Sequence, residues 1–273
     1  MTRRNMTRIA ICILAYLLPA AGPASAQREP FNAAGVTMGH WHLNSQNVAA
    51  NKALFTALGG KAIKPGDFEI VNFPGVNVFL HQRAGTPAPT GGTAGTVINH
   101  VGLIVPNVQE SFAKWKAAGL PIEMGKDRTD QAWITTVDGL RVEILEDKSQ
   151  TVPIKHHHVH FFLAEPAIPV IQAWYGKHFG ATPGMRGRFL AADVPGANLT
   201  FTKSDTPTIP TKGRVLDHIG FDIKNLDEFA KKLEAAGVKL DQPVVRRPDG
   251  SALAFTHDEW GTSIELNERP NPL

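Results

Sequence analysis

This chain has almost no cysteine, no long apolar run and, once its first residues are set aside, no surplus of charge. Cys12 is the single cysteine among 273 residues. It falls in a stretch, 1–26, that reads as a cleavable export signal. Arg3, Arg4 and Arg8 form a positive start, Ile9 to Leu18 a short apolar run, and Ala24-Ser25-Ala26 a small-residue cleavage site before Gln27. The apolar run falls short of the roughly 20 residues a bilayer span needs. A periplasmic or secreted protein is therefore expected, with no membrane contact after cleavage. Because Cys12 leaves with the signal, the mature chain has neither disulfides nor thiolate chemistry. Three of the 28 basic residues leave too, and the remaining 25 equal the 25 acidic ones. The formal charge of +3 is thus no argument for nucleic acid or an anionic membrane as partner.

What the chain has in abundance is repetition. In Leu216 to Gly237, Ile219, Phe221 and Ile223 share one strand face, and His218, Gly220 and Asp222 share the other. Asn225 is a good N-cap for a helix with Leu226, Phe229 and Leu233 on its apolar stripe, and Gly237 suits a left-handed ending. The same pattern starts at His100 and runs through Asn107 to Gly119, each 118 residues before its counterpart. His40 and His158 keep the offset of 118, and Pro74-Gly75-Val76-Asn77 returns as Pro195-Gly196-Ala197-Asn198. The chain is an internal duplication in four modules, each a strand, a helix and about three further strands. Gly- and Pro-rich Arg83 to Thr96 and Lys203 to Gly213 read as linkers. Lys148 to Pro153 reads as the boundary between halves at 35–148 and 154–268, each expected to pair its own two modules.

Two glutamates belong with the histidines. In Val142-Glu143-Ile144 and Ile264-Glu265-Leu266 the aliphatic neighbours face the helices, so period two turns each glutamate to the histidine side of the sheet. Two imidazoles and one carboxylate suit a divalent first-row metal with open coordination positions. The expected sets are His40, His100 and Glu143 in the first half and His158, His218 and Glu265 in the second. A lone strand histidine is more often a satisfied or exposed side chain, so His81, His178 and His257 are set aside. Glu146 and Glu268 read as solvated charges at strand ends. His42 and His160 lie two residues beyond His40 and His158 on the same face. Either member of each pair could be the ligand, and the second imidazoles are assigned as supporting groups or proton acceptors. The second half has the more polar surroundings: His156 and His160 flank His158, and Thr200 stands where the first half has Phe79. On that basis His218 is expected to matter more for turnover than His100.

With His100-Val-Gly-Leu-Ile-Val and His218-Ile-Gly-Phe-Asp-Ile opening modules, and the two glutamate strands closing them, the chain resembles the vicinal-oxygen-chelate superfamily. That superfamily includes glyoxalase I, extradiol dioxygenases and bleomycin resistance proteins. Trp174-Tyr175 through Phe179-Gly180 adds to the likeness, which covers nearly the whole mature chain. It implies an α+β fold of four βαβββ modules, paired into two domains with cup-shaped mixed sheets. It also implies a metal-dependent enzyme whose small-molecule substrate chelates through adjacent oxygens, acting as a monomer or homodimer. Glyoxalase I takes two ligands from opening and two from closing strands. Here Phe79 and Thr200 stand at two closing-strand positions, which leaves a two-histidine, one-glutamate pattern nearer the dioxygenases. Fe2+ is the preferred ion, with Mn2+, Ni2+, Zn2+ and Co2+ open. A glyoxalase-type lyase and a non-catalytic sequestering protein are the alternatives.

Overall fold

The computed structural model describes residues 29–81 and 87–270. The expected export signal and its cleavage site, and the start of the first linker, lie outside the described residues. Module one comprises β1 (Val36–Leu43), α1 (Val48–Leu58), β2 (Lys61–Ile63), β3 (Ile70–Phe73) and β4 (Val76–Phe79). Module two comprises β5 (Ile98–Val105), α2 (Val108–Ala117), β6 (Ile122–Met124), β7 (Gln131–Thr135) and β8 (Arg141–Glu146). Module three comprises β9 (Lys155–Leu163), α3 (Ile168–Phe179), β10 (Thr182–Arg186), β11 (Phe189–Val194) and β12 (Ala197–Lys203). Module four comprises β13 (Leu216–Ile223), α4 (Leu226–Ala235), β14 (Leu240–Arg246), β15 (Ala252–His257) and β16 (Ser263–Glu268). Each module is therefore a βαβββ unit, as the repeat implied. Among the described residues no helix is long and apolar enough to cross a membrane.

The helix signals act as chemistry dictates. The side chains of Asn47, Asn107 and Asn225 accept from the backbone N–H of Ala50, Glu110 and Glu228, each satisfying a donor the first turn leaves unpaired. Leu226, Phe229 and Leu233 are all buried, and Gly237, just past the end of α4, adopts φ +88°. Glu146 and Glu268 are not solvated strand ends. Glu146 accepts from the N–H of Val108 at 3.1 Å and Glu268 from that of Leu226 at 2.8 Å. The closing strands of modules two and four thus end in a carboxylate fixed to the positive start of their own module's helix.

The pairing of modules differs from the expectation. One eight-stranded sheet has the order β14-β15-β16-β13-β1-β4-β3-β2, and the other β10-β11-β12-β9-β5-β8-β7-β6. Module one therefore joins module four, and module two joins module three. In each sheet the opening strands meet antiparallel at the centre, β1 on β13 and β5 on β9, and each closing strand runs parallel to its own opening strand. The halves 35–148 and 154–268 each contribute to both sheets.

The two sheets share one apolar core. Phe179 of α3 packs on Phe221 of β13 at 4.9 Å and on Phe229 of α4 at 5.6 Å between ring centroids. The Tyr175 hydroxyl donates to buried Asp258 at 3.0 Å, tying α3 to module four. His156 belongs to this junction and not to a site. Its Nδ1 donates to the Gly196 carbonyl at 2.7 Å, and its ring meets Trp41 edge-on at 5.0 Å.

Candidate metal centres

Register builds both sites by the same rule. In the one-four sheet His42 lies opposite His218, and His40 opposite Gly220, whose other neighbour is Glu265. In the two-three sheet His160 lies opposite His100, and His158 opposite Gly102, whose other neighbour is Glu143. A histidine and a glutamate thus flank a glycine on one sheet face. The space over that glycine is where they converge. A Cβ on Gly220 would fall 1.9 Å from His40 Cε1, and one on Gly102 the same distance from His158 Cε1.

In the one-four cup Glu265 Oε2 lies 2.9 Å from His218 Nε2 and 3.3 Å from His40 Nε2. In the two-three cup Glu143 Oε2 lies 3.0 Å from His158 Nε2 and 3.5 Å from His100 Nε2. His42 completes the first group and His160 the second. In each, four ligand atoms lie within 4.8 Å of one another. The residues expected to form metal sites therefore do converge, but the sets are regrouped across the halves. His40 joins His218 and Glu265, and His100 and Glu143 join His158, because the sheets pair one with four and two with three.

The polar partners behind the rings fix which nitrogens face inward. Asp217 Oδ1 takes the Nδ1 proton of His218 at 2.7 Å, and Asn99 Oδ1 that of His100 at 3.0 Å. The His81 carbonyl accepts from His42 Nε2 at 3.2 Å. For His160, Arg186 Nη2 donates to Nδ1 at 3.1 Å, so Nε2 carries the proton given to Thr202 Oγ1 at 2.6 Å. His100 Nε2 and His160 Nδ1 then face each other at 3.0 Å as two lone pairs. His40 Nε2, His158 Nε2 and Glu143 Oε2 are buried without a hydrogen bond. Hydrogen-bond acceptors that converge in a buried space are an arrangement that a cation between them would satisfy. The donor sets, three imidazoles and one carboxylate, fit a divalent first-row ion.

Ionisation follows the same contacts. Burial alone would push Glu143 and Glu265 up, but the facing imidazoles outweigh it and hold both carboxyls well below their usual range. Burial pushes His40, His100, His158 and His160 down, and takes His42 down to about 3. His218 differs. Burial works to lower it, yet Asp217 and Glu265 together push it up to about 9.

The cups differ where the closing strands of modules one and three pass. Phe79 lies against the His40 ring at 4.9 Å and stacks on His42 at 5.8 Å, filling the place of a second carboxylate. Thr200 has the corresponding position opposite His160 and accepts from Arg186 Nε at 2.7 Å. The features assigned to an active second half are thereby divided. Thr200 and His160 stand with His100, while His218 stands with Phe79. The more polar cup thus holds His100, whereas the expectation placed it with His218.

The supporting residues Asp217, Asn99, Gln131, Thr202 and Arg186 were not singled out in the sequence. Gln131 donates to Glu143 Oε1. Asn99 and Asp217 carried a signal, since each precedes a histidine and they keep the offset of 118. Arg186, on edge strand β10, carried none.

A family profile described as the Glyoxalase/Bleomycin resistance protein/Dioxygenase superfamily matches residues 97–266, more than half of the chain. The chain belongs to this superfamily. Among solved structures, glyoxalase I from Zea mays superposes with a TM-score of 0.67 at 15% identity, covering 85% of this chain and 92% of that one. A Bacillus subtilis protein provisionally named a dioxygenase gives a TM-score of 0.61 at 14% identity, with 86% of each chain covered. At these identities the likeness shows the fold alone. No curated protein sequence matches the chain significantly. Membership of the superfamily bears out the resemblance read in the opening and closing strands, and the glyoxalase I-like fold bears out the four α+β modules.

Proposed function

We propose that this superfamily member is a metal-dependent enzyme acting on a small molecule through two adjacent oxygens, dioxygenase-like in its chemistry. The observation that carries the reading is the pair of clusters in which three imidazoles and a carboxylate bring ligand atoms within 4.8 Å of one another, with His40 Nε2, His158 Nε2 and Glu143 Oε2 lacking a hydrogen bond. A divalent first-row ion there would offer open positions to two neighbouring substrate oxygens and act on them as a Lewis acid. The chain's own residues orient and line the site. Asn99 and Asp217 hold the ligand tautomers, and Thr202 fixes His160 with its Nδ1 lone pair turned into the cup. Trp133, Phe162 and Phe189 line the two-three cup with aromatic surface. With Phe79 and Thr200 in place of glutamates, each cluster has one carboxylate among its ligand groups. This favours oxygen chemistry over a lyase of the two-carboxylate kind.

Protein purified without a histidine tag should hold a divalent metal and consume oxygen with a vicinal diol such as a catechol. That turnover should vanish in His100→Ala and persist in His218→Ala. Isomerisation of a 2-oxoaldehyde without oxygen uptake would establish the lyase instead. Tight one-to-one binding without turnover of either would make the protein a sequestering one. Export is proposed as well, on the strength of Arg3 to Ala26, and a mature chain beginning elsewhere than near Gln27 would refute it.

A further inference from the structure

The two cups share their ligand types but not their charge. The two-three cleft, of about 510 Å3, is walled by Arg128, Arg141, Arg186 and Arg188, and Glu143 is its one lining carboxylate. Arg128 forks onto Asp130, so the guanidiniums of Arg141, Arg186 and Arg188 face one carboxylate before any metal is counted. The one-four cup is balanced otherwise. Arg247 and Arg269 meet Asp249 and Glu265 in its larger cleft, and Lys212 meets Asp217, Asp241 and Glu265 in the smaller.

Of the four arginines, Arg186 reaches the cluster itself. Its Nε donates to Thr200 Oγ1 at 2.7 Å and its Nη2 to His160 Nδ1 at 3.1 Å. Its Nη1 stands 3.9 Å from Glu143 Oε2, and the side chain is only 20% exposed. Thr200 occupies, in module three, the closing-strand position that Glu143 occupies in module two. Where a second carboxylate would have added a negative charge, the chain holds a guanidinium. With a divalent cation in the cluster, His160 and Glu143 are drawn toward it, and two positive groups are left close together in a poorly solvated space. An anion between them relieves that repulsion, and the planar guanidinium fork matches a carboxylate.

We infer that Arg186 receives a substrate carboxylate, so that the two-three cup takes a small 2-oxo or 2-hydroxy acid anion whose adjacent oxygens face the metal centre. This rests on the proposed function, in that the cluster is a metal site for vicinal oxygens, and it adds the substrate's charge and class.

The test uses the Glu265→Gln protein, which keeps only the two-three centre, loaded with cobalt(II). Pyruvate and its neutral isostere pyruvamide are titrated while the cobalt absorption bands and the tryptophan fluorescence, compared with that of a Trp133→Phe control, are followed, with metal content measured throughout. Trp133 suits the purpose because its ring meets His100 at 4.8 Å. Pyruvate should bind about 30-fold more tightly than pyruvamide, the range expected for charge-assisted hydrogen bonds to a buried partner. Arg186→Gln should abolish that preference with cobalt retained, and Arg186→Lys should restore part of it. Equal affinity for the two ligands, or a preference unchanged in Arg186→Gln, would overturn the assignment with the metal centre intact. Inorganic phosphate binding as tightly as pyruvate without shifting the cobalt bands would reduce the cleft to a general anion site, contrary to the proposal. Failure of the parent protein to hold cobalt at all would refute the metal centre beneath it.

Discussion

Adding one methyl group at Gly220 should empty the one-four centre. The residue lies between His40 and Glu265 on neighbouring strands, and its missing side chain is the space the His40 ring occupies. An alanine Cβ there would sit 1.9 Å from His40 Cε1, well inside van der Waals contact. Gly220 has none of the positive φ seen at the turn glycines, so alanine brings no backbone strain. The fold therefore loses little, but the imidazole must turn out of the cluster. Gly220→Ala should cut bound metal from two ions per chain to one with unchanged circular dichroism. Gly102→Ala should remove the other ion, by displacing His158. Full metal content in either variant would show that the displaced ring is not a ligand.

The largest effect on stability is expected at the junction of the sheets. Phe221 is fully buried, lies on the strand that carries His218, and packs its ring on Phe179 from the other sheet's helix α3. Phe221→Ala removes that contact and leaves a cavity, at a cost of about 3–5 kcal/mol. For a chain of this size the melting temperature should fall by about 10 °C. Because both sheets share the core, they should still melt in one transition. Two separated transitions, with only one of them shifted, would mean that the sheets fold independently.

Much of this was legible in the sequence, for identifiable reasons. Alternation along Ile219, Phe221 and Ile223 and along Val142 and Ile144 put the histidines and glutamates on one face, since strand period leaves no other choice. Asn107 and Asn225 marked helix starts through a local hydrogen bond that needs nothing from the rest of the chain. The glycine two residues after His100 and His218 was also visible, although it makes room for a histidine of the partner strand and not for its own. What escaped was the pairing. β1 presents the same kind of edge to β5 as to β13, and a repeat that makes the modules equivalent erases the information that would choose between them. Arg186 escaped for a related reason. It lies on an edge strand of exposed and half-buried residues, with no alternation to show which way it points. Glu146 and Glu268 were misread because their partners, the N–H groups of Val108 and Leu226, are 38 and 42 residues away.

The central claim is that each centre is shared between the halves of the chain. It is tested most directly by counting metal ions per chain in two double variants. His40→Ala combined with Glu265→Gln strikes one cup twice and should leave one ion bound. His40→Ala combined with Glu143→Gln strikes both cups and should leave none. The opposite pattern, no ion in the first and one in the second, would place His40 with Glu143 and contradict the cross-half pairing.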